Sequence, residues 1–204
     1  MPELPAGAGP VLCGIARAAI AAHLPGKKAG FSGVDGARSP ESAGSYDRDG
    51  QNPHSWLDTP GASFVTLTRD GALRGCIGSL TAYRSLGEDV AANAVNAAFR
   101  DPRFPPLSAE ELADTHIEVS VLSDPEPYAF TDRADALSRL RPGIDGLTLE
   151  YGSHRGTFLP QVWESLREPD DFLNHLVRKA GLPAGWWDDG VRLSRYTVTA
   201  FEGT

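Results

Sequence analysis

Lysine is nearly missing from this 204-residue chain, with three Lys against 16 Arg, and cysteine and methionine are rarer still, at two and one. Two cysteines, of which Cys13 sits inside a helical pattern, cannot build a disulfide framework, so the expected compartment is reducing cytoplasm. No stretch approaches the ~20 apolar residues that span a bilayer. The opening MPELPAGAGP has an acid and three prolines and no cationic segment ahead of an apolar one, so it does not read as a signal peptide and no membrane partner is expected. Positive charge is also short: 19 Lys and Arg stand against 27 Asp and Glu, for a net charge of −8. Binding along a phosphate backbone draws on counterion release from a concentrated cationic stripe, so broad nucleic-acid binding is not expected, although a local basic pocket is compatible with this balance. The excess of Arg over Lys, with abundant Ala and Gly, fits a GC-rich bacterial genome and carries no mechanism.

Chemical motifs are as sparse. His23, His54, His116, His154 and His175 show neither H-x-x-x-H nor H-x-H spacing, and C-x-x-C is absent. Neither a nucleophile elbow nor a glycine-rich strand-to-helix loop of the dinucleotide or P-loop kind occurs. No metal and no cofactor is therefore called for. Asp171 and His175, four apart, read as a surface ion pair rather than a catalytic dyad.

What is present suffices for a core: 41% of residues are hydrophobic, within reach of one large domain or two small lobes. Val11, Leu12, Ile15, Ala19 and Ala22 recur at helical spacing and predict a helix over about 10–24, stopped by Pro25-Gly26. From Gly26 to Gly61 the chain is rich in Gly, Ser, Asp and Pro without periodicity. It reads as a long, partly mobile loop from which His54 and Trp56 pack back onto the body. Phe64–Thr68 and Ala72–Leu80 flank Arg69-Asp70-Gly71 as a β-hairpin. A helix over Leu86–Arg100 and a short helix behind the capping box Ser108-Ala109-Glu110-Glu111 follow. Next come a strand over His116–Ser123 and a helix over Asp132–Arg141. A second hairpin has arms Leu147–Tyr151 and Gly156–Leu159 around a turn at Gly152-Ser153-His154-Arg155. Helices over Gln161–Leu166 and Asp170–Ala180 precede a closing strand over Arg192–Phe201. This order is no regular βα alternation and predicts an α+β fold, antiparallel sheet with helices packed to one side.

The candidate site is the strand Leu73–Ser79. Strict alternation puts Arg74, Cys76 and Gly78 on one face, where a guanidinium two residues from a thiol can stabilise the reactive thiolate. Glycine inside a strand, as at Gly75 and Gly78, marks a bulge or a close approach of backbone or ligand. Against this stands packing, since a free cysteine is among the most buried residue types.

Leu73-Arg74-Gly75-Cys76-Ile77-Gly78 resembles the signature hexapeptide of the AMMECR domain family, called in bacteria the AmmeMemoRadiSam system protein A. Phe64–Leu67, Ala97–Leu107, Ile117–Leu122, Asp145-Gly146-Leu147, Leu159–Val162 and Lys179–Pro183 resemble further family blocks in the same order, over about 62–201 plus the first helix. The resemblance implies a single AMMECR-type domain over 1–204: a two-lobed α/β sandwich with mainly antiparallel sheet, its larger lobe built from both chain ends and the cysteine hairpin near the cleft. It also implies association with a MEMO-like protein and a radical SAM protein. The segment 26–61 is longer than expected of prokaryotic members. The family blocks add Arg103, Glu118 and Gln161 as neighbours of the thiol. Each has a structural alternative: an ion pair with Asp101 or Glu111, a solvated strand face, and a backbone-capping amide, respectively. Two functions remain open, a cysteine-centred catalyst with Arg74 or Arg103 activating Cys76, and a binding module recognising a partner protein or small-molecule ligand.

Overall fold

A computed structural model describes residues 4–24 and 52–203. The chain forms two compact units, Met1–Val121 with Ala200–Thr204, and Leu122–Thr199. The larger unit thus takes both chain ends.

In the larger unit, α1 (Ala8–His23) buries Leu12, Ala16 and Ile20 along one face. The unit's sheet has four strands, β1 (Ala62–Arg69), β2 (Ala72–Gly78), β3 (His116–Leu122) and β8 (Val198–Gly203), in the order β2-β1-β3-β8. The β1–β2 hairpin turns through Asp70 and Gly71 at φ 51° and 76°, the doubly left-handed backbone that suits the twist of two antiparallel strands. Helix α2 (Leu86–Phe99) lies on the hairpin, its Ala94 and Ala97 buried so that helix and strand backbones come close. Val65 and Leu67 of β1 and Ile117, Val119 and Val121 of β3 join α1 and α2 in one core.

The α2 N-terminal turn is tied to the hairpin by a buried polar cluster. Asp89, fully buried, accepts from the Ser63 amide and hydroxyl, the Ser79 hydroxyl, Asn93 Nδ2 and Arg84 Nε. Burying a carboxylate is tolerable because every approach to it is filled by a donor.

The second unit holds the other sheet, in the order β4-β7-β5-β6: β4 (Glu126–Pro127), β5 (Gly146–Tyr151), β6 (His154–Phe158) and β7 (Arg192–Tyr196), all antiparallel. Helix α4 (Arg133–Arg139) is short, while α5 (Pro169–Lys179) buries Phe172, Leu173, Leu176 and Val177. Gly181, at φ 84°, ends α5: its amide bonds Arg178 O and that of Leu182 bonds Val177 O, a Schellman arrangement. Trp163 stacks on Phe172 at 3.8 Å and donates Nε1–H to Asp145 O.

Several expectations change. The expected loop over 26–61 falls partly outside the described residues. Within its described end, Ser55–Asp58 is a 3-10 turn, Trp56 is buried in the core, His54 is exposed, and Pro60 bridges to Ser85. The second hairpin turns through two residues, not four, because Tyr151 pairs with His154. The expected closing strand is two strands in different sheets, β7 and β8, parted at Thr197, whose amide donates to Ser123 Oγ instead of to a neighbouring strand. Gln161 lies in a 3-10 turn (Pro160–Glu164) rather than an α-helix. Asp171 meets His175 through its carbonyl, to which Nδ1 donates, and not as an ion pair. Among the described residues no helix is long and apolar enough to cross a membrane.

Candidate functional site

The β1–β2 ladder runs Arg69↔Ala72 and Thr68↔Leu73, then resumes at Leu67↔Gly75 and Thr66↔Cys76. Arg74 is therefore the extra residue of a β-bulge. An unbroken ladder would set Cys76 against Val65, a core residue. The bulge sets it against Thr66, on the face turned away from the helices. Thr66 Oγ1 donates to Cys76 Sγ at 3.4 Å, and Cys76 is half-buried. Beside it the Phe64 ring lies over Gly78, where an added Cβ would fall 2.2 Å from the ring.

The bulge also breaks the alternation from which a shared face for Arg74 and Cys76 is inferred. Arg74 is buried and reaches elsewhere: Nε and Nη2 make a forked pair with Glu111 at 3.0 and 3.1 Å, and Nη2 donates to Pro105 O. Glu111 serves twice, because it also closes the capping box of α3 (Ala109–Ala113) by accepting from the Ser108 amide. Arg74 foremost, then the Ser108 amide, holds the Glu111 carboxyl down at about 2. Gly75 makes the close approach expected of a strand glycine, but to helix backbone: a Cβ there would sit 2.2 Å from Ala97 O.

Asp101, which follows α2, closes the outer edge of β2. Its Oδ2 accepts the Cys76 amide at 2.9 Å, and Arg103, bonded to both Asp101 oxygens, donates Nη2–H to Cys76 O at 3.3 Å. The pair thus meets the amide and carbonyl that a neighbouring strand would otherwise bond. The Arg103 guanidinium, aided by the Cys76 and Arg103 amides and against the effect of burial, holds the Asp101 carboxyl well below the usual carboxylate range. Asp101 reciprocally raises Arg103. The structural alternative for Arg103, an ion pair with Asp101, is thus present, with the addition that half of its side chain stays exposed over Cys76.

Glu118 lies on β3, two strands from the β2 strand of Cys76, and strands two apart stand about 10 Å from each other. Alternation from Ile117 and Val119 places it on the same open face, where it accepts from the Ser120 hydroxyl. Ser120 is itself buried, so this face is less wet than alternation implies. Gln161 is exposed and belongs to the second unit. Cys13 is a packed thiol, near Ile117 O and Phe201 O, and burial raises its pKa. None of the five histidines bonds Cys76, and among the described residues no three His, Cys, Asp or Glu side chains gather as a metal-binding group. Sequence reasoning missed Thr66, which requires the bulge, and missed Asp101 as an edge cap. Asp-Pro after a helix signals only where the helix ends.

The AMMECR1 family matches residues 13–201. A protein of Methanothermobacter thermautotrophicus is 38% identical over 199 residues, covering 95% of this chain and 93% of its own. Protein MJ0810 of Methanocaldococcus jannaschii is 41% identical over 135 residues, 65% of this chain and 67% of its own. These relatives are archaeal and lend no weight to a bacterial origin. The crystal structure of uncharacterized protein PH0010 from Pyrococcus horikoshii superposes with a TM-score of 0.73 at 32% identity, over 95% of this chain and 90% of that one. A family match across 13–201, a relative 38% identical over almost the full length and an α+β fold shared with a solved structure make this chain a member of the AMMECR1 family.

Proposed function

We propose that the open face of β1–β2 around Cys76 is the recognition surface of a binding module. Its partners are a protein or small ligand, with a MEMO-like protein and a radical SAM protein the first to try. One observation carries this reading: the two guanidinium groups that would activate the thiol are each committed to a carboxylate, Arg74 to Glu111 and Arg103 to Asp101. A thiol with no base bonded to it and its cations already neutralised is poorly equipped as a nucleophile. The exposed half of Arg103, the Phe64 ring and Thr66 instead offer a mixed apolar and polar surface.

Cysteine-centred catalysis is the second reading, favoured by the Thr66 hydroxyl aimed at Sγ, a bond that would stabilise a thiolate. Calorimetric titration of the full chain against each partner separates the two. Recognition predicts that Cys76→Ser binds within about threefold of the parent while Thr66→Lys, which puts a long cation beside Cys76, weakens binding at least about tenfold. Rapid native-state alkylation of Cys76, far ahead of Cys13 and of a free thiol, together with loss of turnover in Cys76→Ser, would replace recognition with catalysis.

A further inference from the structure

A second candidate site lies wholly within the second unit and shares no residue with the Cys76 face. A cavity of about 460 Å³ opens between the segment after β4 and the segment before β7. Its volume is within the range of small-molecule pockets. Phe130 and Trp187 line it in edge-to-face contact, ring centroids 5.6 Å apart and planes at 60°. Such a pair leaves the π faces of the ring that gives its edge uncovered by its partner, and both side chains are only partly buried.

The charge on the walls has one dominant sign. Asp132, Glu150 and Asp189 line the cavity against a single cation, Arg192. Asp132 caps α4 with Oδ1 toward the Asp135 amide, which leaves its other oxygen for a ligand. Glu150 is held by Arg155 in an exposed pair at 3.4 Å, weak enough to be exchanged. Asp189 bonds no other described residue. Aromatic rings and carboxylates lining one cavity suit a cation with an apolar body, because ring quadrupoles and carboxylates attract the same charge and an anion would meet repulsion from both.

We infer that this cavity binds an organic cation, an ammonium or guanidinium group carried on an apolar stem. The shared chemistry has two sources, a free amine and a basic side chain of a peptide, and the experiment distinguishes them. Full-length protein labelled with ¹⁵N is titrated with benzyltrimethylammonium, with an acetylated, amidated Gly-Arg-Gly peptide, and with phenylacetate as the charge-reversed control, following the Trp187 indole resonance. One or both cations are expected to shift that resonance with an affinity at least about tenfold above phenylacetate. Response to the small cation alone assigns a free amine, and response to the peptide assigns a basic segment. Trp187→Leu and the exposed-site variant Asp189→Asn should each weaken binding, the latter without touching the fold. Equal binding of phenylacetate, affinities unchanged in both variants, or no shift with either cation would overturn the assignment.

Discussion

Four hydrogen bonds converge on the Asp101 carboxylate, one from the Cys76 amide and three from Arg103, although in the sequence Asp101 is only the residue between a helix and a proline. Glu111 is similar: the capping-box pattern identified its bond to Ser108, but the fork from Arg74 depends on a fold-level meeting that no local pattern carries. Both carboxyls are held below their ordinary values, so each favours the folded state while ionised. That contribution is complete above the unfolded value, about 4.3 for Glu. It is lost as the pH falls toward the folded value, about 2 for Glu111. Glu111→Gln should therefore flatten the rise of stability with pH between about 2 and 4 by up to about one proton, as read from urea unfolding across that window. An unchanged slope would mean that the Arg74–Glu111 fork does not persist in solution.

At the scale of elements, what depends on neighbours in sequence was legible and what depends on a single inserted residue was not. The Asp70-Gly71 turn, α2, the α3 capping box and the stop at Gly181 each follow from local backbone and side-chain chemistry, and they lie within a residue or two of expectation. The bulge at Arg74 was signalled only by the strand glycine beside it, Gly75, which does not say where the extra residue falls, yet it decides which face Cys76 takes, because side chains alternate with period two. The closing strand failed for a related reason. Its β-prone residues run on through Thr197, and the change of sheet is made by a bond to Ser123, distant in sequence. The two strand glycines differ in what surrounds them. An alanine at Gly75 meets the Ala97 carbonyl, which moves only if α2 moves, whereas an alanine at Gly78 meets the Phe64 ring, a side chain able to rotate. Gly75→Ala should cost about 3 kcal/mol or more of unfolding free energy and Gly78→Ala about 1–2, measured by denaturant titration. Equal costs would contradict the close seating of α2 on β2.

At the scale of the molecule, two hydrophobic cores are built from separate sets of residues, one around α1, α2 and β1, the other around β5 and α5. The second unit leaves and rejoins the chain at neighbouring points, where Ser123 and Thr197 bond each other twice. A segment with its own core and adjacent ends should fold when excised. A fragment over 122–199 is expected to unfold cooperatively with the near-ultraviolet dichroism of its stacked Trp163 and Phe172. A gradual, featureless transition would show that it borrows stability from the rest. The Asp101–Arg103 cover on β2 has a consequence for many copies in one vessel. It is made of charge and not of chain: Asp101 is buried and keeps its charge far into acid, so neither acid nor salt strips it readily, whereas Asp101→Ala removes it, and a bare margin zips to its like. Preparations of Asp101→Ala should then thicken into fibres where the parent stays clear, and the first to grow would start at this ribbon.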